Sequence, residues 1–189
     1  MNKIPAVLMA ALAASTAALP ARAAPAQVII IRHGEKPSAG NELSPQGFQR
    51  AEALVGFFEH NPAVTQYGAP VAIYAMDPKD VDGSLRPIET VTPLAKALGL
   101  TIDHDYVKAQ LPEMVSDILT NPAYDGKMVL ICWEHNMIPP LVKDLGWSTA
   151  PDAWSGSVFD QAWVLNFDGG KASSFQIVPE HLLPGDSAE

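Results

Sequence analysis

Four uninterrupted aliphatic residues, Val28-Ile29-Ile30-Ile31, give way directly to Arg32-His33-Gly34-Glu35. An apolar run without polar alternation marks a strand buried on both faces, as inside a parallel sheet. Met128-Val129-Leu130-Ile131-Cys132 repeats the pattern and passes into Trp133-Glu134-His135-Asn136. Val71 to Ala75 reads as a further strand, and Leu100-Thr101-Ile102 as a short one. Helical spacing fills the intervals. Ser44-Pro45 offers an N-cap followed by proline at the first helical position, and Phe48, Ala51, Val55 and Phe58 then recur along one face. Arg86-Pro87 opens a second helix carrying Val91, Leu94, Ala95 and Leu98, which Gly99 stops. Leu111 to Leu119 reads as a short helix entered through Pro112. Another runs from Ile138 to Leu145, with Pro139 and Pro140 in its first turn. Ala162 to Phe167 and Ser173 to Val178, parted by Asp168-Gly169-Gly170, read as a hairpin. Strands alternating with helices predict a three-layer α/β sandwich around a mostly parallel sheet.

The first residues stand apart from this pattern. Lys3, an apolar run from Ala6 to Leu19 and Ala21-Arg22-Ala23 have the order of a secretory signal peptide, too short for a comfortable membrane span. Cleavage after Ala23 shortens the 189 residues to 166, residues 24–189, expected as one domain with room for a real core. The formal charge of −9 becomes −11 once Lys3 and Arg22 are removed. So acidic a body argues against nucleic acid as a partner and requires any phosphate site to be a local concentration of cations. The expected location is periplasmic or secreted, with no stable membrane insertion. Cys132 is the only cysteine, so no internal disulfide is available. Leu183 to Glu189 reads as a frayed tail.

Chemistry collects at the strand ends. In open α/β sheets ligands bind beyond the carboxyl ends of the strands, and Arg32-His33-Gly34 occupies such an end. Arg32 supplies a fork of donors suited to an anion, and His33 a nucleophile or base. The plainer alternative is a strand that merely surfaces in polar residues. His135 at a second strand end and Arg86 at a helix start count against that alternative. An arginine at a helix start gains nothing from the helix dipole, and an anion partner explains it better. His60, His104 and His181 lie in loops or at element ends without ligand-like spacing, so they read as solvated. No catalytic metal and no cofactor are expected.

The ordered set of Arg32-His33-Gly34, Leu43-Ser44-Pro45-Gln46-Gly47, Arg86-Pro87-Ile88-Glu89-Thr90 and Glu134-His135-Asn136 resembles the histidine phosphatase superfamily, with its phosphoglycerate mutase-like fold, in the smaller first branch. The resemblance spans roughly Val28 to Val178. Glu134 stands where that family more often has glycine or serine, and the loop before Arg86 is longer than usual. The resemblance implies that His33 is the nucleophile, phosphorylated and then hydrolysed, while Arg32, Arg86 and a protonated His135 bind the phosphoryl oxygens. It further implies a general acid ahead of the second histidine. Glu113 is favoured, with Asp105 and Glu134 as alternatives.

Rival signatures fail. A cysteine phosphatase needs an arginine six residues past its cysteine, where this chain has Ile138. Asp80-Val81-Asp82-Gly83 mimics an aspartate-nucleophile motif but follows a loop instead of a hydrophobic strand. The expectation is therefore an exported, metal-independent phosphomonoesterase acting on a small or macromolecular phosphomonoester. A phosphomutase or a non-catalytic phospho-ligand binder is the alternative. Specificity is expected in the loops Lys36 to Leu43, Asp77 to Leu85 and Ala150 to Phe159. Trp133, Trp147 and Trp154 suit either a pocket rim or the core.

Overall fold

The computed structural model describes residues 24–79 and 83–186. The proposed leader, residues 1–23, lies outside the described residues, as do Asp80, Val81, Asp82 and the last three residues. The strands are β1 (Gln27–Arg32), β2 (Ala72–Ala75), β3 (Ile102–Asp103), β4 (Met128–Trp133), β5 (Gln161–Asp168) and β6 (Lys171–Pro179). The helices are α1 (Pro45–His60), α2 (Pro62–Thr65), α3 (Arg86–Leu98), α4 (Leu111–Thr120) and α5 (Ile138–Asp144). They build one sheet in the order β3-β2-β4-β1-β5-β6. β3, β2, β4 and β1 run parallel, while β5 and β6 add an antiparallel hairpin at one side.

The aliphatic runs form central strands because both faces of the sheet are covered. Val28 and Ile30 face a core with Met114, Ile118, Leu141 and Val142 from α4 and α5. Ile29 and Ile31 face the opposite core, with Leu54, Phe58, Val91 and Leu94 from α1 and α3. All four are fully buried, and each such side chain stabilises the fold by roughly 1.5–3 kcal/mol. The result is the three-layer α/β sandwich. Trp133 and Trp154 are buried in the first core, and Trp147 stacks on Phe175 at its margin, so packing, not a rim, claims the tryptophans.

Three readings need correction. Phe48 is exposed, and the buried face of α1 runs through Gly47, Arg50, Ala51, Leu54, Phe57 and Phe58. The helix start is crowded against the end of β1, and only the glycine before Phe48 fits there. Leu100 belongs to the helix stop: Gly99 takes a left-handed φ of 66° and the Leu100 N–H bonds the Ala95 carbonyl. The third strand begins two residues later, at Ile102. The described part of the tail is not frayed, because Asp186 is held in ion pairing with Arg50.

Candidate active site

Arg32 is in register with Trp133 across parallel strands β1 and β4. The His33 N–H donates to the Trp133 carbonyl at 3.1 Å. The chains that carry His33 and His135 therefore leave the same edge of the sheet side by side. The turn after β1 depends on two facing glycines. A Cβ at Gly34 would sit 3.0 Å from the Gly47 carbonyl oxygen, and one at Gly47 would sit 2.4 Å from that of Glu35. No other residue permits this approach of β1 to α1.

His33 is buried, and its Nδ1 lies 2.7 Å from the Gly34 carbonyl oxygen. A carbonyl can only accept, so Nδ1 carries the proton and Nε2 keeps its lone pair. Burial pushes the His33 pKa down to about 4, and the charges of Arg32, Arg86 and His135 push the same way against the Gly34 hydrogen bond. The structure thus brings four of the sequence-derived residues together and leaves the imidazole neutral near pH 7.

Arg32 is almost fully buried, and the loop before β5 holds it. One terminal nitrogen, Nη1, donates to the carbonyls of Ser155, Gly156 and Val158 at 3.3, 3.0 and 2.7 Å. The guanidinium carbon lies 3.7 Å from the centre of the Phe159 ring, a cation–π placement. Burial lowers the Arg32 pKa to about 10, which leaves it charged. Arg86 donates from Nη1 to the Gly40 carbonyl at 3.0 Å. Its neighbour Glu89 accepts the Leu43 N–H at 2.8 Å, so the start of α3 ties down the loop after β1.

Three buried nitrogens here have no hydrogen-bond partner within the protein: Arg32 Nε, Arg86 Nε and His135 Nδ1. Buried donors are nearly always paired. Three orphans on the three proposed phosphate-binding residues suit an oxyanion with several acceptor oxygens.

His135 requires a correction. Burial, then Arg32, and also Lys36 and Lys108 lower its pKa, with Glu134 opposing. It is therefore a neutral N–H donor near pH 7 and not the protonated imidazole the resemblance implied. Glu134 pairs with Lys108 at 2.7 Å, and its charge bears on Arg32 and His135. Glu113 stands exposed in the first turn of α4, and Asp105 is exposed in the loop after β3. Neither is among the charges that bear on Arg32, His33 or His135. Among the described residues no three His, Cys, Asp or Glu side chains are grouped to hold a metal ion.

Sequence reasoning missed three features. One is the backbone carbonyls of Ser155, Gly156 and Val158, which no residue type announces. Another is Thr90, whose hydroxyl accepts the Gly34 N–H at 2.8 Å. The third is Arg50, fully buried with Glu35, Glu180 and Asp186. Its place was legible, since position 50 follows Gly47 and precedes Leu54 on one helical face.

Solved structures share this fold. The chain is similar to the protein histidine phosphatase SixA complexed with tungstate, with a TM-score of 0.58 at 15% identity, covering 82% of this chain and 97% of that one. It is similar to a phosphoglycerate mutase from Plasmodium falciparum, at a TM-score of 0.54 and 17% identity over 86% of this chain and 96% of that one. A phosphoglycerate mutase from Bacillus anthracis gives 0.51 at 13% identity, over 84% and 94%. At these identities the likeness is one of fold, and it is the phosphoglycerate mutase-like α/β fold. No protein-family model matches the sequence, and no curated protein matches it.

Proposed function

We propose that this protein is a phosphomonoester hydrolase with His33 as nucleophile. The observation that carries the reading is the His33 imidazole, held as the Nδ1–H tautomer by Gly34 and kept unprotonated by burial beside Arg32 and Arg86. A merely structural histidine has no need of two arginines and unpartnered donors around it. The fold shared with a protein histidine phosphatase solved with tungstate, a tetrahedral oxyanion, supports the reading.

In this mechanism Nε2 attacks phosphorus, the P–N bond forms and the ester P–O bond breaks. Arg32, Arg86 and His135 donate to the equatorial oxygens throughout, each charged hydrogen bond contributing about 1.5–3 kcal/mol. The leaving oxygen takes a proton from a carboxylic acid. Water, giving a proton back to that carboxylate, then attacks phosphorus, and the P–N bond breaks to release phosphate and the free imidazole. Glu113 is the proposed acid. Glu134, already ion-paired with Lys108, suits a role in orienting His135.

Arg32 and Arg86 supply the positive charge in this reading and His135 a neutral N–H donor, so the proposed enzyme needs no metal ion. Turnover of p-nitrophenyl phosphate by purified protein tests it: activity should persist in excess chelator, and His33→Ala should abolish it. Loss in chelator with recovery on adding a divalent ion would overturn the metal-independent reading. In the same reading residues 1–23 serve as a cleaved leader and the mature protein works in the periplasm or outside the cell. Intact-mass analysis of secreted material should then give a chain beginning at Ala24.

A further inference from the structure

Arg50 is a charged side chain in an apolar position. It shares a face of α1 with Ala51 and Leu54 and is 1% exposed. Acidic side chains from three segments meet its guanidinium. Nε donates to both oxygens of Glu35 at 3.1 Å, and Nη2 to Glu35 Oε1 at 2.7 Å. Nη1 donates to Glu180 Oε2 at 3.3 Å and to Asp186 Oδ2 at 3.1 Å, and Nη2 to Asp186 Oδ1 at 2.5 Å. Asp186 Oδ2 also accepts the N–H groups of Leu182 and Leu183 at 2.8 and 2.9 Å, which closes the C-terminal turn on the arginine.

Stability alone is a poor reason for this cluster. Well-packed apolar side chains often match or exceed a buried ion pair. Its position points to the site instead. Glu35 lies two residues after His33, and its charge bears on Arg32. Its carbonyl also accepts the Ser44 N–H at 2.8 Å, at the cap of α1. An unpaired carboxylate so near the nucleophile would favour the imidazolium, which cannot attack. The planar fork of an arginine holds a carboxylate in place from two sides and takes up its charge.

We propose that Arg50 is a positioning residue for His33, clamping Glu35 against α1 and the C-terminal turn so that its carboxylate stays turned from the nucleophile. The proposal rests on His33 being the nucleophile. Three groups then set the charge at His33 from the elements around it: Arg32 from β1, Arg86 from α3 and His135 after β4. Around Arg50 the titratable groups are Glu35, Asp186 and Glu180, whose pKa burial raises, with Asp160 bearing on Glu180.

The test is the protonation midpoint of His33, followed by NMR of labelled histidine in the full chain, with the acid limb of the pH–rate profile alongside. Arg50→Gln should raise the midpoint by about one pH unit and move the acid limb with it. The double variant Arg50→Gln/Glu35→Gln should bring both back to the parent values, which a loss of packing would not do. If Arg50→Gln does not fold, Arg50→Lys takes its place, with a smaller rise that Glu35→Gln again reverses. A folded variant whose midpoint does not move, or a rise that survives the double substitution, overturns the proposal. The NMR midpoint reads the clamp even if the parent protein hydrolyses no phosphomonoester, so the two readings fail separately.

Discussion

Thr90 accepts the Gly34 N–H at 2.8 Å, and its hydroxyl donates to the Arg86 carbonyl at 2.7 Å. One buried hydroxyl thus joins the end of β1 to the start of α3. It fixes the backbone whose next carbonyl sets the His33 tautomer, and it does so from the turn that carries Arg86. Thr90→Val should leave the Gly34 N–H unsatisfied in the core, at a cost of about 1–3 kcal/mol. It should also slow turnover by about tenfold or more, in line with the loss of a positioned group. Thr90→Ser keeps the hydroxyl and should recover most of the rate. Thermal unfolding and steady-state kinetics on the two variants check both effects.

Activity should persist well into acid. With the His33 pKa pushed down to about 4, the acid limb of kcat/KM belongs near pH 4 and not near 6.5, the ordinary histidine value. A pH–rate profile from pH 3.5 to 8 decides between the two.

Stability should follow pH in two opposing ways. His33 has a depressed folded-state pKa, so its contribution is complete above about 6.5 and is lost as pH falls toward 4. Glu180 behaves in reverse. Burial raises its pKa to about 8, and Arg50 only partly offsets this because Glu35 and Asp186 already share that guanidinium. Its contribution is complete below about 4.5 and is lost as pH rises through 8. Melting temperature should therefore change little between pH 4.5 and 6.5 and decline from 6.5 to 8. Glu180→Gln should remove that decline.

Leaving-group dependence separates the proposed acids. Glu113→Gln should slow alkyl phosphates far more than p-nitrophenyl phosphate, whose leaving group needs little protonation. Selective loss in Glu134→Gln alone would assign the proton to Glu134 and leave Glu113 as an exposed residue of α4.

The parts of this design written in apolar patterning were legible. Val28 to Ile31 and Met128 to Cys132 read as doubly covered strands, and their polar ends marked the edge where His33 and His135 emerge. Ser44 caps α1 and Gly99 ends α3 because those residue types perform those tasks locally. What escaped was contact between distant segments. The carbonyls of Ser155, Gly156 and Val158 reach Arg32 from more than 120 positions away, and a carbonyl carries no residue signature. Asp186 looked like part of a loose acidic tail because its partner, Arg50, is 136 positions earlier. The resemblance implied a protonated His135, whereas burial and nearby cations there outweigh Glu134 and lower its pKa.

If His33 takes the phosphoryl group, the phosphorylated protein can be trapped during turnover. Protein mixed with a phosphorus-labelled phosphomonoester should be quenched in alkali within milliseconds and digested, and the label located by mass spectrometry. An acid-labile, alkali-stable phosphoryl group should appear on Nε2 of His33 and be absent from His33→Ala, which should also be inactive. Turnover by His33→Ala at near the parent rate, or label on any other residue, would contradict His33 as the nucleophile.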